Sequence, residues 1–307
     1  MRGIRRGLLC AVLAAAAYPA ESAAATREYW VAAVPTRWNP VINGQDAIHG
    51  ARYDAAATIF PTVTYRRYSR GFRAPAPSAE DTASGVGRIP GPLLKARVGD
   101  TLKVHFKNLD TLTRAPHSMH FHGVEYKPSS DGSYVPGFSG RDAEVKVGQS
   151  VTYTLHAGRD SGGVWSYHDH GPAMEASLKG GMYGALSILR RGERRPDREF
   201  VAFFTALGGF ETIDGRAFVG NTPVFKARVG DVVQWDVLSL GDEFHTFHVH
   251  GHRWRASSGV TQDTRSVGPA ESWSVRWRED APGTWLYHCH VESHMMQGMI
   301  GLYRVSR

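Results

Sequence analysis

Fifteen histidines stand in this chain of 307 residues, and ten of them cluster: His120-x-His122, His168-x-His170, His245-x-x-His248-x-His250, and His288-Cys289-His290 with His294 close behind. A lone histidine in a folded core is ordinary. Imidazoles paired at two-residue spacing, four times over, are instead a pattern of metal ligation. A thiolate with two imidazoles and a weak thioether is the ligand set of a blue-copper centre, and Cys289, His245, His294 and Met299 supply it. Zinc in a structural site favours several thiolates, and this cluster offers one. Successive side chains of a strand point to opposite faces, so Cys289 can bind one copper while His288 and His290 reach a second cluster on the other side. The matching triplet His168-Asp169-His170 has no thiolate, so one half of the chain carries the electron-entry copper and the other does not. With His245 and His294 set aside, eight histidines remain as four pairs. Three coppers sharing them two, three and three use the supply completely and leave open positions for dioxygen.

The elements that carry these ligands repeat. Lys95-Ala96-Arg97-Val98-Gly99-Asp100 recurs letter for letter at Lys226 to Asp231, and each copy is followed by a His-x-His-Gly, ending at Gly123 and Gly251. Trp165-Ser166-Tyr167-His168-Asp169-His170 answers Trp285-Leu286-Tyr287-His288-Cys289-His290, and a Gly-Met-x-Gly follows each, from Gly181 and Gly298. Four landmarks in one order make the chain two copies of one domain. Segments such as Thr101–Phe106 and Val151–Leu155 alternate in polarity and are rich in β-branched and aromatic residues. No long amphipathic helical stretch is present, so the expected fold is all-β, two tandem Greek-key β-sandwich domains. The expected division is an export signal peptide at 1–25, a first domain at 26–190, a charged linker at 191–199 and a second domain at 200–307. The segment Ser69 to Gly87, rich in Pro, Ala, Ser and Gly, reads as a surface loop.

The remaining composition narrows the class. A chain with 42% hydrophobic and 21% charged residues is neither disordered nor fibrous. Arg2, Arg5 and Arg6, the apolar run Leu8 to Ala17 and the small residues Ser22 to Ala25 form an export leader, and the Arg5-Arg6 pair resembles a twin-arginine signal. Cleavage near Ala25 would leave about 282 residues, Cys289 as the lone thiol and no internal disulfide. Secretion or retention in the cell envelope is therefore expected. No later apolar run is long enough to cross a membrane as a helix, and the net charge of +7 contains no long basic run with interleaved aromatics of the kind nucleic-acid binding uses.

Together, these motifs resemble those of the multicopper oxidases, and within them the two-domain bacterial small laccases, over almost the whole mature chain. The resemblance implies cupredoxin-like domains and four coppers per subunit. It implies a type 1 copper on His245, Cys289, His294 and Met299, a type 2 copper on His120 and His248, and a type 3 pair on His122, His168, His170, His250, His288 and His290. It also implies a homotrimer whose trinuclear site lies between the first domain of one subunit and the second domain of its neighbour. A heterologous contact that closes gives such a ring. Tyr126, Asp131 and Asp263 resemble residues placed near the type 2 copper and its surroundings, with Tyr126 able to lend an electron and Asp131 to pass protons.

The implied activity is laccase-type: one-electron oxidation of phenols, aromatic amines or low-valent metal ions, coupled to four-electron reduction of dioxygen to water. The stretch between His250 and Trp285 is short, and in this family such segments shape the reducing-substrate face. A copper-tolerance metallo-oxidase is an alternative role. Copper nitrite reductase is a second enzyme of two such domains, but it needs a thiolate in the first domain, where Asp169 stands. A copper store or electron carrier would not require eight apportioned imidazoles. His49, His105, His117, His156 and His252 have no motif partners and are assigned to structure, as are Met295 and Met296 to packing.

Overall fold

The computed structural model describes residues 24–76, 89–256 and 258–307. The segment up to Ala23 that the sequence reads as a leader, with Cys10, and the part of the proline-rich segment from Pro77 to Gly87 lie outside the described residues. The first sandwich is built from β1 (Thr26–Trp38), β2 (Phe60–Tyr68), β3 (Leu94–Arg97), β4 (Thr101–Asn108), β5 (His120–Phe121), β6 (Glu125–Tyr126), β7 (Ser150–His156), β8 (Gly163–His168) and β9 (Tyr183–Leu189). The second contains β10 (Arg198–Leu207), β11 (Phe210–Ile213), β12 (Val224–Arg228), β13 (Val232–Ser239), β14 (His245–Val249), β15 (Trp254–Arg255), β16 (Thr261–Gln262), β17 (Thr264–Val267), β18 (Ser272–Arg278), β19 (Gly283–Cys289) and β20 (Ile300–Ser306). Among the described residues three short α-helices occur: α1 (Ala55–Thr58), α2 (Met174–Lys179) and α3 (Glu292–Met296).

In the first sandwich a sheet ordered β2-β1-β4-β7-β6 faces one ordered β3-β9-β8-β5; in the second, β11-β10-β13-β18 faces β12-β20-β19-β14-β17. The alternation read from the sequence sets the inner face. Leu102, Val104 and Phe106 of β4 and Tyr153 and Leu155 of β7 all turn into the first core. Trp235 occupies the second core among Phe200, Phe225, Phe247, Tyr287 and Tyr303. Strand β9 is buried at every position because both its faces are covered. Leu186 and Ile188 face the first core, whereas Tyr183 and Ala185 join Trp38, Ile89, Phe203 and Leu238 in an apolar layer between the sandwiches. That layer is pinned at its rim by Lys95 to Glu199 (2.6 Å) and by the Ser272 hydroxyl donating to the Val164 carbonyl (2.6 Å). Arg198 and Glu199, read from their charge as linker, open β10 instead. Arg198 pairs in register with Val233, and Glu199 is held by Lys95, an interaction 104 residues apart in the chain.

The repeated motifs mark repeated contacts. Tyr167 and Tyr287 donate to the carbonyls of Pro92 (2.6 Å) and Pro223 (2.8 Å). Trp165 and Trp285 donate to the carbonyls of Ser161 (2.7 Å) and Ala281 (2.9 Å), each four residues upstream. Gly123 and Gly251, which close the two His-x-His-Gly motifs, have φ of 71° and 70° and press against the rings of Trp165 and Trp285, leaving no room for a Cβ. Each tryptophan thereby fixes the turn that ends a pair of histidines.

Candidate metal centre

The ligand segments are adjacent strands. Pairing of β5 with β8 sets His120 opposite His168 and Phe121 opposite Tyr167; pairing of β14 with β19 sets His248 opposite His288 and Phe247 opposite Cys289. Phe121 and Val249 point into the cores, so the histidines flanking each point the other way. Cys289 points inward and is fully buried, while His290 on the other face is exposed.

On the first sandwich His120, His122 and His168 bring their ligand atoms within 4.8 Å of one another, and Nε2 of His122 and His168 are 3.1 Å apart. The His170 ring lies 5.3 Å from that of His120. The second sandwich repeats this: His248, His250 and His288 form one group, Nε2 of His250 and His288 are 3.0 Å apart, and the His290 ring is 5.5 Å from that of His248. In four of these rings Nδ1 is committed to a backbone carbonyl: His120 to Asp131 (2.8 Å), His168 to Asp169 (2.9 Å), His248 to Asp263 (2.8 Å) and His288 to Cys289 (2.8 Å). Donation from Nδ1 leaves Nε2 as a bare acceptor turned toward its neighbours, the arrangement a ligating imidazole requires. Burial, reinforced by neighbouring imidazoles, brings His122, His168 and His288 down to about 4, so they are neutral near pH 7. Among the described residues no ligand group mixes histidines of the two sandwiches.

The third group is His245, Cys289 and His294. Nδ1 of His245 and of His294 are 3.0 Å apart and lie 3.9 and 3.8 Å from Sγ of Cys289. Burial raises the Cys289 thiol, while the Thr246 and Val291 N–H groups aim at its sulfur from 3.3 and 3.5 Å and favour the thiolate. Met299 is fully buried in the same core, and its carbonyl accepts from the Cys289 N–H at 3.0 Å. One soft sulfur and two imidazole nitrogens converging in this way suit copper, with His245 held neutral by burial and Met299 in the same core.

The structure also brings Tyr126 and Asp131 to this region. The Tyr126 ring is 6.1 Å from that of His120, and its phenol is raised by burial and then by the Asp131 charge. Asp131 Oδ1 is 3.5 Å from His120 Nδ1. Asp263 occupies the matching place on the second sandwich, where its carbonyl holds His248 and its carboxylate accepts from Thr264. The hydroxyls of Ser133 and Thr264 complete the parallel, at 3.1 and 3.0 Å from Nδ1 of His120 and His248.

Two family models described as Multicopper oxidase match residues 73–193 and 195–307. The chain belongs to the multicopper oxidases. It is 33% identical over 244 residues to a "Probable nitrite reductase-hydroxylamine oxidoreductase fusion protein" of Kuenenia stuttgartiensis, covering 72% of this chain and 28% of that one. Similarity to the human Ferroxidase HEPHL1 is 27% over 91% of this chain and 29% of the relative. The chain thus spans under a third of the length of these relatives. A solved multicopper oxidase superposes with a TM-score of 0.69 at 25% identity, covering 92% of this chain and 89% of that chain.

Some residues of this multicopper oxidase's site are not singled out by the paired motifs. Glu211 and Glu243 join His294 in a further ligand group, with Glu243 Oε2 3.3 Å from His294 Nε2. Burial first, then the Glu243 charge, pushes Glu211 up to about 7. Glu211 arrives on β11, 83 residues before His294, so no local pattern announces it. His117 stands three residues before His120, as His245 does before His248, and that spacing was legible. His252 donates through Nδ1 to the His250 carbonyl (2.7 Å), and its Nε2 meets Glu279 at 3.0 Å, so a structural histidine steadies a ligand.

Proposed function

We propose that this multicopper oxidase is laccase-type: it oxidises small reductants one electron at a time and reduces dioxygen to water with four. The observation that carries the reading is the pair of matched four-histidine half-sites, one per sandwich, with a single Cys-His-His site behind one of them. His245, Cys289, His294 and Met299 would hold the type 1 copper, His120 and His248 the type 2, and His122, His168, His170, His250, His288 and His290 the type 3 pair. Bound copper supplies the one-electron redox chemistry and the dioxygen-binding positions. The chain supplies pre-aimed imidazoles and a covalent path from the Cys289 sulfur to the adjacent His288 and His290. Tyr126, 6.1 Å ring to ring from His120, would lend an electron, and Asp131, 3.5 Å from His120 Nδ1, would pass protons.

A half-site of four histidines is incomplete alone, which supports a homotrimer in which the first sandwich of one subunit meets the second of the next. Exposed apolar side chains lie by both segments: Phe138, 89% exposed, lines a pocket with Tyr126 and Asp131, and Val260, 61% exposed, stands three residues before Asp263 in the chain. Surfaces of this kind favour burial in an assembly. Export to the envelope or medium, by the leader read in the sequence, suits an enzyme of this type.

Low-valent metal ions are favoured among the reductants by Glu211 and Glu243, whose carboxylates flank the outward nitrogen of His294. Phenols and aromatic amines are served by Phe244, 68% exposed next to His245. Nitrite reduction, suggested by the name of one relative, is disfavoured because Asp169 stands where the first sandwich would need a thiolate. The test is Cys289→Ser. It should remove the intense blue absorption and oxygen uptake while the far-ultraviolet spectrum stays that of a β-protein; a variant that remains blue would refute the assignment.

A further inference from the structure

The second sandwich's blue-copper cage has a counterpart in the first, contact for contact. Cys289 N–H donates to Met299 (3.0 Å), and Asp169 N–H donates to Met182 (3.1 Å). Met299 N–H donates to the His294 carbonyl (3.0 Å), and Met182 N–H to that of Ser177 (2.9 Å). The two N–H groups that aim at the Cys289 sulfur come from Thr246 and Val291; those that hold Asp169 Oδ1 come from Ser118 (2.8 Å) and Gly171 (3.1 Å). The His290 N–H bonds the Thr246 hydroxyl (2.9 Å) as the His170 N–H bonds that of Ser118 (3.1 Å). His117, Asp169, Ser177 and Met182 therefore occupy the places of His245, Cys289, His294 and Met299.

The contents differ in a way that decides the role. His117 Nδ1 lies 2.8 Å from Asp169 Oδ2, a direct hydrogen bond, where His245 Nδ1 stands 3.9 Å from the Cys289 sulfur. The far nitrogen of His117 meets a second buried carboxylate, Asp110 Oδ2, at 3.2 Å. Asp110 is itself anchored by the N–H groups of Leu112 (2.8 Å) and Thr113 (3.0 Å). His117, Asp110 and Asp169 are all essentially buried, so these bonds are little weakened by water.

We propose that the carboxylate–imidazole–carboxylate bridge Asp110–His117–Asp169 is a metal-free clamp that takes over the tying function of the type 1 copper. It positions the first sandwich's copper ligands. It joins the segment leading into His120 and His122 to the strand end bearing His168 and His170. Those two segments must meet for Nε2 of His122 and His168 to face each other at 3.1 Å. In the second sandwich the equivalent segments would be joined by the metal held between His245 and Cys289. Asp169 and His117 are positioning residues; the proposal rests on the reading that the paired histidines hold copper.

The test uses the full-length copper-loaded protein. Release of the cluster copper to a chelator is followed by the type 2 electron paramagnetic resonance signal, with elemental copper content, and the blue band serves as the internal control. Wild-type protein should hold about four coppers per chain, the number the eight histidines and the blue site accommodate. If it holds only about one, the functional reading fails and the clamp, which rests on it, falls with it; about four coppers in wild type leave the variants to test the clamp alone. Asp169→Ala and Asp110→Asn should lose type 2 copper roughly 10- to 100-fold faster, the usual cost of removing a partner that orients a ligand, with the blue band retained. Asp169→Asn keeps an oxygen for Ser118 and Gly171 but loses the carboxylate oxygen that meets His117, so it should also release type 2 copper fast; wild-type retention in Asp169→Asn would assign the positioning to the backbone anchors and overturn the clamp. Wild-type release from both Asp169→Ala and Asp110→Asn would overturn the proposal. If Asp169→Ala does not fold, Asp110→Asn decides alone, since Asp110 neighbours no copper ligand in the chain.

Discussion

Replacing Glu279 by Gln tests how the second sandwich supports its ligands. Glu279 is 1% exposed, and its carboxylate accepts from His252, Trp277, Tyr303 and the N–H groups of Asp280 and Ala281. Burial opposes its ionisation, but these donors outweigh it and bring the carboxyl from 4.5 down to about 2. At about 1.4 kcal/mol per unit, this favours folding by about 3 kcal/mol, or about 2 after allowance for screening where the network meets solvent at Asp280. The sign follows from the direction of the shift. A lowered carboxyl contributes its full stability above its unfolded value near 4.5 and loses it as pH falls through about 2. His252, raised by Glu279 against the burial that lowers it, contributes fully below 6.5 and loses its share as pH rises through its folded value. The difference between wild type and Glu279→Gln should therefore be largest between about pH 4.5 and 6.5. Equilibrium urea unfolding followed by tryptophan fluorescence at pH 5.5 and pH 2.5 should give about 2 kcal/mol at the first and a much smaller difference at the second. Equal differences at the two pH values would refute the reasoning.

Gly123→Ala should cost about 2 kcal/mol or more, from the left-handed backbone and the overlap with Trp165, and should lower the thermal midpoint. Gly137→Ala, with a similar φ of 82° but open space around it, should cost less, so equal losses would point away from the Trp165 contact. The double substitution Glu211→Gln with Glu243→Gln should slow oxidation of a reduced metal ion about tenfold while leaving phenol oxidation within about twofold, because only the cation needs the carboxylates. A parallel loss on both substrates would contradict a cation-binding role for the pair.

Much of the architecture was legible because it is local and duplicated. Leu102, Val104 and Phe106 announce an inner face by alternation, and the two copies of the His-x-His-Gly motif announce equivalent turns. The grouping of His245, Cys289 and His294 was legible because these residue types are scarce, and Cys289, His294 and Met299 lie within eleven residues. What escaped depends on contacts across the chain. Asp110 and Asp169 are 59 residues apart and meet only through His117. Glu211, on β11, and Glu243, in the segment between β13 and β14, come together only in the folded second sandwich. The charges of Arg198 and Glu199 suggested a solvated linker, but their partners Asp231 and Lys95 satisfy them at the edge of β10. Charge by itself reports polarity, and pairing decides whether a charged residue belongs to a strand.

The most direct test of the central claim mixes two inactive variants. His168→Ala breaks the half-site of the first sandwich, and His288→Ala breaks that of the second; each should fail to consume oxygen alone. Unfolded together and refolded with copper in equal amounts, they should regain activity if each cluster is built by two subunits. The intact second sandwich of one variant then meets the intact first sandwich of the other at about a quarter of the interfaces of a randomly mixed ring. Oxygen uptake near a quarter of that of identically treated wild type is expected; a mixture as inactive as its separate components would contradict a shared site.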